Sequence, residues 1–245
     1  MNDPSRLLLW SVDAPADGAT NMATDRAILT RADEDGGPVR LRVYGWTPPA
    51  LSLGFHQDPS TVDHAALARD GLDCVVRPTG GAAVLHVDEI TYAVSGPLGV
   101  AGLGRRVLEI HDVIAVALQE SLRRLDVDVA REGDGRPEGF ACFSAAGGHE
   151  ITAGGRKLVG SALRRSRRAF LQHGSLLRGP GHEQLPRYVA GSDPAKHDAA
   201  IEDLRKRTVT LADLGRGDLT FGDFARTLAL VLAAHLALEP VHEPA

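Results

Sequence analysis

The chain has 245 residues, 43% hydrophobic and 24% charged, with a net charge of −5 at pH 7. That is enough for one large domain or two small ones around a sizeable core, and the acidic balance argues against bulk nucleic-acid binding. No apolar run reaches the length of a membrane span, and "MNDPSRLLLWSVDAP" has no basic region ahead of its short leucine run, so it is not read as a signal peptide.

Elements follow in chain order. "TNMATDRAILTRADE" predicts a helix capped by Thr20 or Asn21. "VRLRVYGW" alternates Val39, Leu41 and Val43 against Arg40, Arg42 and Tyr44, the pattern of a half-buried strand. After Pro48-Pro49, "ALSLGF" is a short strand. "DHAALARDG" is a short helix stopping near Gly71. "DCVVR" is a strand that places Cys74 as a small core residue, and "PTGGAAVLH" is a turn leading into another apolar segment. "EITYAVS" is a strand rich in β-branched and aromatic residues.

From Val107 to Leu125, apolar residues recur at helical spacing. "HEITAGGRKLVGSALRR" predicts a hairpin turning at Ala153-Gly154-Gly155, and "AFLQHGSLL" is the next strand. Irregular structure with a helical piece is expected from Gly179 to Lys206, and "TFGDFARTLALVLAAHLAL" closes the chain as a helix capped by Thr220 or the Gly222-Asp223 pair. Strands with interspersed helices but no regular βαβ alternation predict an α+β fold, a mixed, largely antiparallel sheet with packed helices, in one domain over 1–245.

The common nucleotide-loop, nucleophile-elbow and zinc spacings are absent, and no metal site is expected. Two cysteines, Cys74 and Cys142, cannot build a disulfide framework, which points to a reducing, cytoplasmic setting. Three stretches carry candidate chemistry. In "VVRPTGGAAVLH", Arg77 and the backbone around Gly80-Gly81 could hold an anion or a polar ligand head, or simply make a tight turn. "GFACFSAAGG" offers the Cys142 thiol on a loop, reactive or incidental. Lys157 precedes an apolar run, either at a pocket rim, holding a carbonyl oxygen or favouring a thiolate, or as a solvated strand-edge residue.

Five stretches then point in one direction. "NMATD" (Asn21–Asp25), "LSLGFHQ" (Leu51–Gln57), "RPTGGAAVLHVDEITYAV" (Arg77–Val94), "ACFSAAGGHEITAGGRKLVGSALRR" (Ala141–Arg165) and "LQHGSLL" (Leu171–Leu177) lie in one order over roughly residues 20 to 180. Together they resemble the biotin/lipoate protein ligase and transferase superfamily, most of all its cysteine-dependent octanoyltransferases. The resemblance implies that family's catalytic-domain fold, followed by a C-terminal helical extension with no separate accessory domain. It implies an octanoyl group taken from acyl carrier protein onto Cys142 as a thioester, with Lys157 as partner, then passed to a lysine of a lipoyl-domain protein such as the glycine-cleavage H protein or a 2-oxoacid dehydrogenase E2. No cofactor is needed on this reading.

The same resemblance makes Arg77, Thr79, Gly80, Gly81, His86, Gly160, Ser161, Ala162, His173 and Gly174 candidate substrate-binding residues. Burying the roughly seven alkyl carbons of the chain, at about 0.8 kcal/mol each, contributes on the order of 5 kcal/mol, and "LVGSAL" and "GGAAV" are the expected walls. The chain departs from the family pattern at Val76, Ala82 and Leu163. Alternatives inside the superfamily are an ATP- and magnesium-dependent lipoate–protein ligase and a lipoyl-domain amidotransferase; outside enzymes, the alternative is a module that binds a lipoyl domain or acyl group. Arg164, Arg165, Arg167 and Arg168, with Arg105 and Arg106, form either a docking face for an acidic carrier or a solvated hairpin end.

Overall fold

The computed structural model describes residues 3–100, 102–132 and 150–244. The elements are β1 (Leu7–Val12), α1 (Gly18–Asp35), β2 (Val39–Tyr44), β3 (Ala50–Leu53), α2 (His64–Arg69), β4 (Asp73–Val76), β5 (Val84–His86), β6 (Glu89–Pro97), α3 (Val107–Arg124), β7 (Ala130–Glu132), β8 (Glu150–Ala153), β9 (Arg156–Arg165), β10 (Ala169–Leu177), α4 (Pro194–Arg207), α5 (Phe221–Leu236) and β11 (Glu239–His242). Eight strands form one sheet in the order β11-β1-β2-β6-β10-β9-β8-β7, and β4-β3-β5 form a smaller one. In the large sheet β1 runs parallel to β2 and β11, and the other pairs are antiparallel. The fold is the α+β class expected.

The large sheet is covered on both faces. Tyr92 and Val94 of β6 share a core with Leu41 and Val43, with Ile110, Ile114 and Leu118 of α3, and with Phe224, Leu228 and Leu232 of α5. Ala93 points the other way, into a second cluster with Tyr44, Leu171 and Met22 and Leu29 of α1. This explains a departure from the alternation seen in "VRLRVY". The strand is not half-buried: Arg42 and Tyr44 lie under α1, and only Arg40 is partly open.

Helix α1 starts earlier than expected. Asp17 is its cap, accepting from the Thr20 amide at 2.7 Å, so Asn21 is free for a buried role. The hairpin turns at Gly154-Gly155, whose φ angles of 56° and 71° suit a two-residue turn. Strands β1 and β11 had not been expected. Helix α5 and β11 pack onto β1, so this end of the chain helps build the main core. Cys74 is half-buried against the small-sheet core, and burial, with Asp73 beside it, pushes its thiol up, as befits an inert core residue. No helix among the described residues is long and apolar enough to cross a membrane.

One irregularity sets the orientation of the central hairpin. Ile151 pairs with Val159, yet Thr152 pairs with Lys157, which leaves Leu158 as an extra residue. Leu158 and Val159, though consecutive, both enter the α3/α5 core. The bulge therefore turns Lys157 and Thr152 to the opposite face, the one under α1.

Candidate active site

On that α1-side face the sheet opens into a cavity. The centre of the large sheet forms one wall. Ala162, His173 and Ala93 are in register across β9, β10 and β6, as are Gly160, Ser175 and Thr91. Gly160 and Ala162 present little or no side chain, which leaves a slot, and Gly174 lines it with backbone alone, since a Cβ there would meet Tyr92 and the Ser161 hydroxyl on the other face. The small sheet supplies Ser52, Arg77, Val84 and His86 opposite, and Met22, Tyr44 and Trp46 fill the remaining sides.

Two carboxylate–imidazole–hydroxyl chains hold this wall to the glycine turn. In the first, Asp25 of α1 accepts from Arg42 Nη1 at 2.7 Å, from the Tyr44 hydroxyl at 3.0 Å and from His173 Nδ1 at 2.9 Å. His173 Nε2 lies 2.5 Å from Thr79 Oγ1 and, with Nδ1 donating to Asp25, accepts the hydroxyl's hydrogen bond. Burial holds the His173 imidazole below its ordinary range, against the pull of Asp25, so it is neutral. Burial pushes Asp25 up, but the His173 hydrogen bond and the Arg42 guanidinium outweigh it and keep the carboxyl low and ionised.

In the second chain, Glu89 accepts from His86 Nδ1 at 2.7 Å, from Thr91 Oγ1 at 2.6 Å and from Ser175 Oγ at 2.9 Å. His86 Nε2 then meets Ser52 Oγ at 2.7 Å. Trp46 stacks on His86 with ring centroids 4.0 Å apart and donates to Thr91 Oγ1 at 2.8 Å. These contacts fix ring and hydroxyl orientations at the cavity floor before any ligand arrives.

Arg77, which the sequence offered as a holder of an anion or a polar ligand head, lines the cavity. It is buried and donates to Ser52 O, Ser52 Oγ, Gly80 O and Ala82 O at 2.7–3.2 Å, which ties the glycine turn to β3. Gly81 has a φ of 89°, and a Cβ there would stand 2.9 Å from Arg77 Nη2; nothing lies within 4 Å of a Cβ on Gly80. The turn thus requires glycine at Gly81 on both counts. Ser161 contributes only backbone to the slot, because its hydroxyl points through the sheet to Tyr92 at 2.6 Å.

Lys157 is buried, not a solvated edge residue. Its ammonium donates to Glu150 Oε1, and Thr152 lies beside it on the same face. It does not line the cavity. It sits three residues before Gly160, within about 10 Å along the strand. Cys142 lies outside the described residues. The arginine cluster is divided. Arg164 spans to Pro78 O at 3.1 Å and covers the exposed Phe55 ring, Arg168 binds Asp33 O and Glu34 O, and Arg165 and Arg167 border a groove shared with Asp33, Glu34 and Asp35.

Sequence reasoning passed over Asp25, Glu89, Glu150, Ser52 and Trp46. Asn21 and Asp25 sit four apart on one helical face, and His86 and Glu89 three apart, which is the signal that was available.

The model of the lipoyl protein ligase A/B catalytic domain matches residues 17–233. The chain belongs to this family. An octanoyltransferase LipM of Moorella thermoacetica is 43% identical over 169 residues, covering 66% of this chain and 62% of that protein. An octanoyltransferase LipM of Kyrpidia tusciae is 36% identical over 233 residues, covering 91% of this chain and 85% of that one. The bipartite lipoate protein ligase of Thermoplasma acidophilum superimposes with a TM-score of 0.77 at 20% identity, covering 98% of this chain and 86% of that one. That likeness concerns the fold: the ligase/transferase catalytic-domain fold expected from the sequence is the one found. The family match includes α1, the small sheet, every strand of the large sheet except β1 and β11, and most of α5, so the two carboxylate–imidazole chains lie wholly inside the lipoyl protein ligase A/B domain.

Proposed function

We propose that this chain is an octanoyltransferase of lipoate assembly. It takes an octanoyl group from the thioester of an acyl carrier protein and delivers it to a lysine of a lipoyl-domain protein. The observation that carries this reading is the slot walled by Gly160, Ala162 and Gly174, with the buried Lys157 just beyond its end, in a chain similar over most of its length to octanoyltransferases.

In this mechanism the Cys142 thiolate attacks the carrier thioester. The bond from the acyl carbon to the carrier sulfur breaks, the carrier thiol leaves, and the acyl group sits on the enzyme. The neutral amine of the acceptor lysine then attacks, the bond from the acyl carbon to the Cys142 sulfur breaks as the amide forms, the Cys142 thiolate is released, and the proton given up by the amine balances the one taken up by the carrier thiol. One thioester replaces another in the first step and an amide is gained in the second, so no nucleotide is consumed. Lys157 supplies positive charge near the thiolate and the developing oxyanion. Arg77, Thr79, Gly80 and Gly81 shape the turn above the acyl chain, and His86 and His173 hold the floor.

Intact-mass measurement after incubation with octanoyl-acyl carrier protein tests this. An octanoyl adduct is expected, and it should be lost in C142A. No adduct, or one that survives C142A, overturns the acyl-enzyme. Efficient modification of a lipoyl domain from free octanoate with ATP and magnesium, independent of Cys142, would make the chain a ligase instead.

A further inference from the structure

We infer that Glu150 is a positioning residue for Lys157. The inference rests on the octanoyl-transfer reading, in which an acyl thioester carbonyl is presented at the cavity. Three observations meet here. The bulge at Leu158 puts Lys157 on the cavity face of the sheet. Ile151 pairs with Val159, so continuing that register by one step sets Glu150 level with Gly160. And Lys157, buried with almost no access to water, donates its ammonium to the Glu150 carboxylate.

A lysine side chain has four rotatable bonds, and its charge alone does not say where it points. Glu150 decides this. It draws the ammonium along the sheet toward the row of Gly160, Ser175 and Thr91 that floors the cavity. Gly160 has no side chain to stand between the pair and the slot. The carboxylate touches no reacting atom in this scheme; it acts by fixing where the cation is.

The test is steady-state octanoyl transfer from octanoyl-acyl carrier protein to a lipoyl domain, with thermal unfolding followed in parallel. E150Q should lower kcat by about 100-fold while KM for the donor changes by less than about threefold. E150D, which keeps the charge one carbon shorter, should recover at least about tenfold of that loss. In a K157M background, adding E150Q should cost no more, because the residue it positions is gone. Unchanged kcat in E150Q, a rise in KM alone, or a full further loss in K157M would each overturn the inference.

A second readout separates this from failure of the transfer reading. The chain has three lysines, Lys157, Lys196 and Lys206, and the last two are exposed. Lys157 should therefore give the one slowly exchanging side-chain ammonium signal in nitrogen-15 NMR, and E150Q should abolish it. Should the wild type transfer no octanoyl group while this signal behaves as described, the pairing stands and the reaction is at fault. A signal that persists in E150Q overturns the pairing itself.

Discussion

A Cβ on Gly54 would stand 1.9 Å from the carbonyl oxygen of Gly81. The turn after β3 and the glycine turn after β4 are thus in backbone contact, and neither can move without the other. Gly54→Ala should push the two apart, with an overpacking cost of about 1–3 kcal/mol and a fall in octanoyl transfer. Gly80→Ala, where nothing lies within 4 Å, should stay within about 0.5 kcal/mol. Paired denaturant titrations check both; equal losses would show that the contact does not govern the turn.

Stability should fall as pH drops below neutrality. Burial lowers the affinity of His173 for a proton, and that of His182 likewise, so between their ordinary value of 6.5 and their lower folded values the unfolded chain binds more protons. Stability then rises with pH in that window, by up to about 1.4 kcal/mol per pH unit for each imidazole. Asp25, also held low when folded, contributes stability present above its ordinary 3.8 and lost as pH falls through its folded value. Unfolding midpoints between pH 7.5 and 4.5 should decline, and His173→Asn should flatten the part nearest pH 6. An unchanged slope in that variant would refute the assignment.

The Glu150–Lys157 pair should show the asymmetry of buried charges. E150Q removes the carboxylate paired with a buried ammonium and should cost about 3–5 kcal/mol, whereas E150Q combined with K157M should be more stable than E150Q alone. Comparing unfolding free energies decides this. A double variant less stable than the single one would argue for a different partner at this point.

Ala162 faces the glycine turn, 3.9 Å from where a Cβ on Gly81 would stand. Ala162→Leu should fill the slot and raise KM for octanoyl-acyl carrier protein by about tenfold or more, with a smaller effect on a butyryl donor. Equal effects on both chain lengths would place the acyl group elsewhere.

Within the arginine cluster, Arg168 and Arg167 should behave differently. R168E removes hydrogen bonds to the last turn of α1 and should destabilise the protein at any salt concentration. R167E alters an exposed charge and should slow carrier association mainly below about 50 mM salt, where screening is weak. Salt-dependent transfer rates distinguish the two.

Much of this was legible in the sequence. Helix α3 announces itself because Ile110, Ile114, Ala117, Leu118 and Leu122 recur at helical spacing and face one core. Gly154-Gly155 marks a hairpin through turn chemistry. The motifs around Arg77, Gly160 and His173 all contribute residues to the lining of one cavity. What stayed hidden depends on partners distant in sequence. Leu7–Val12 is a strand because β2 and β11 flank it, and nothing in "LLLWSV" says so. Helix α1 buries Asn21 and Asp25 among its apolar residues, which blurs its period, because a fully paired carboxylate can be buried like a hydrophobe. Arg77 looks the same in sequence whether it holds a ligand or its own turn.

The extra residue at Leu158 makes the orientation of Lys157 a matter of parity. Counted back along the strand from Val159 in strict alternation, the lysine belongs with the leucines of the α3/α5 layer. Counted from the hairpin turn, it belongs with Thr152 on the side of the cavity. The two counts differ by one, and Leu158 absorbs the difference. Deleting that single leucine would join Lys157 directly to Val159 and leave the lysine on the cavity side by plain alternation, whereas pressing the same residues into a strand without the bulge would turn its charge through the sheet into an apolar layer, exchanging inside for outside without changing any residue that a ligand touches.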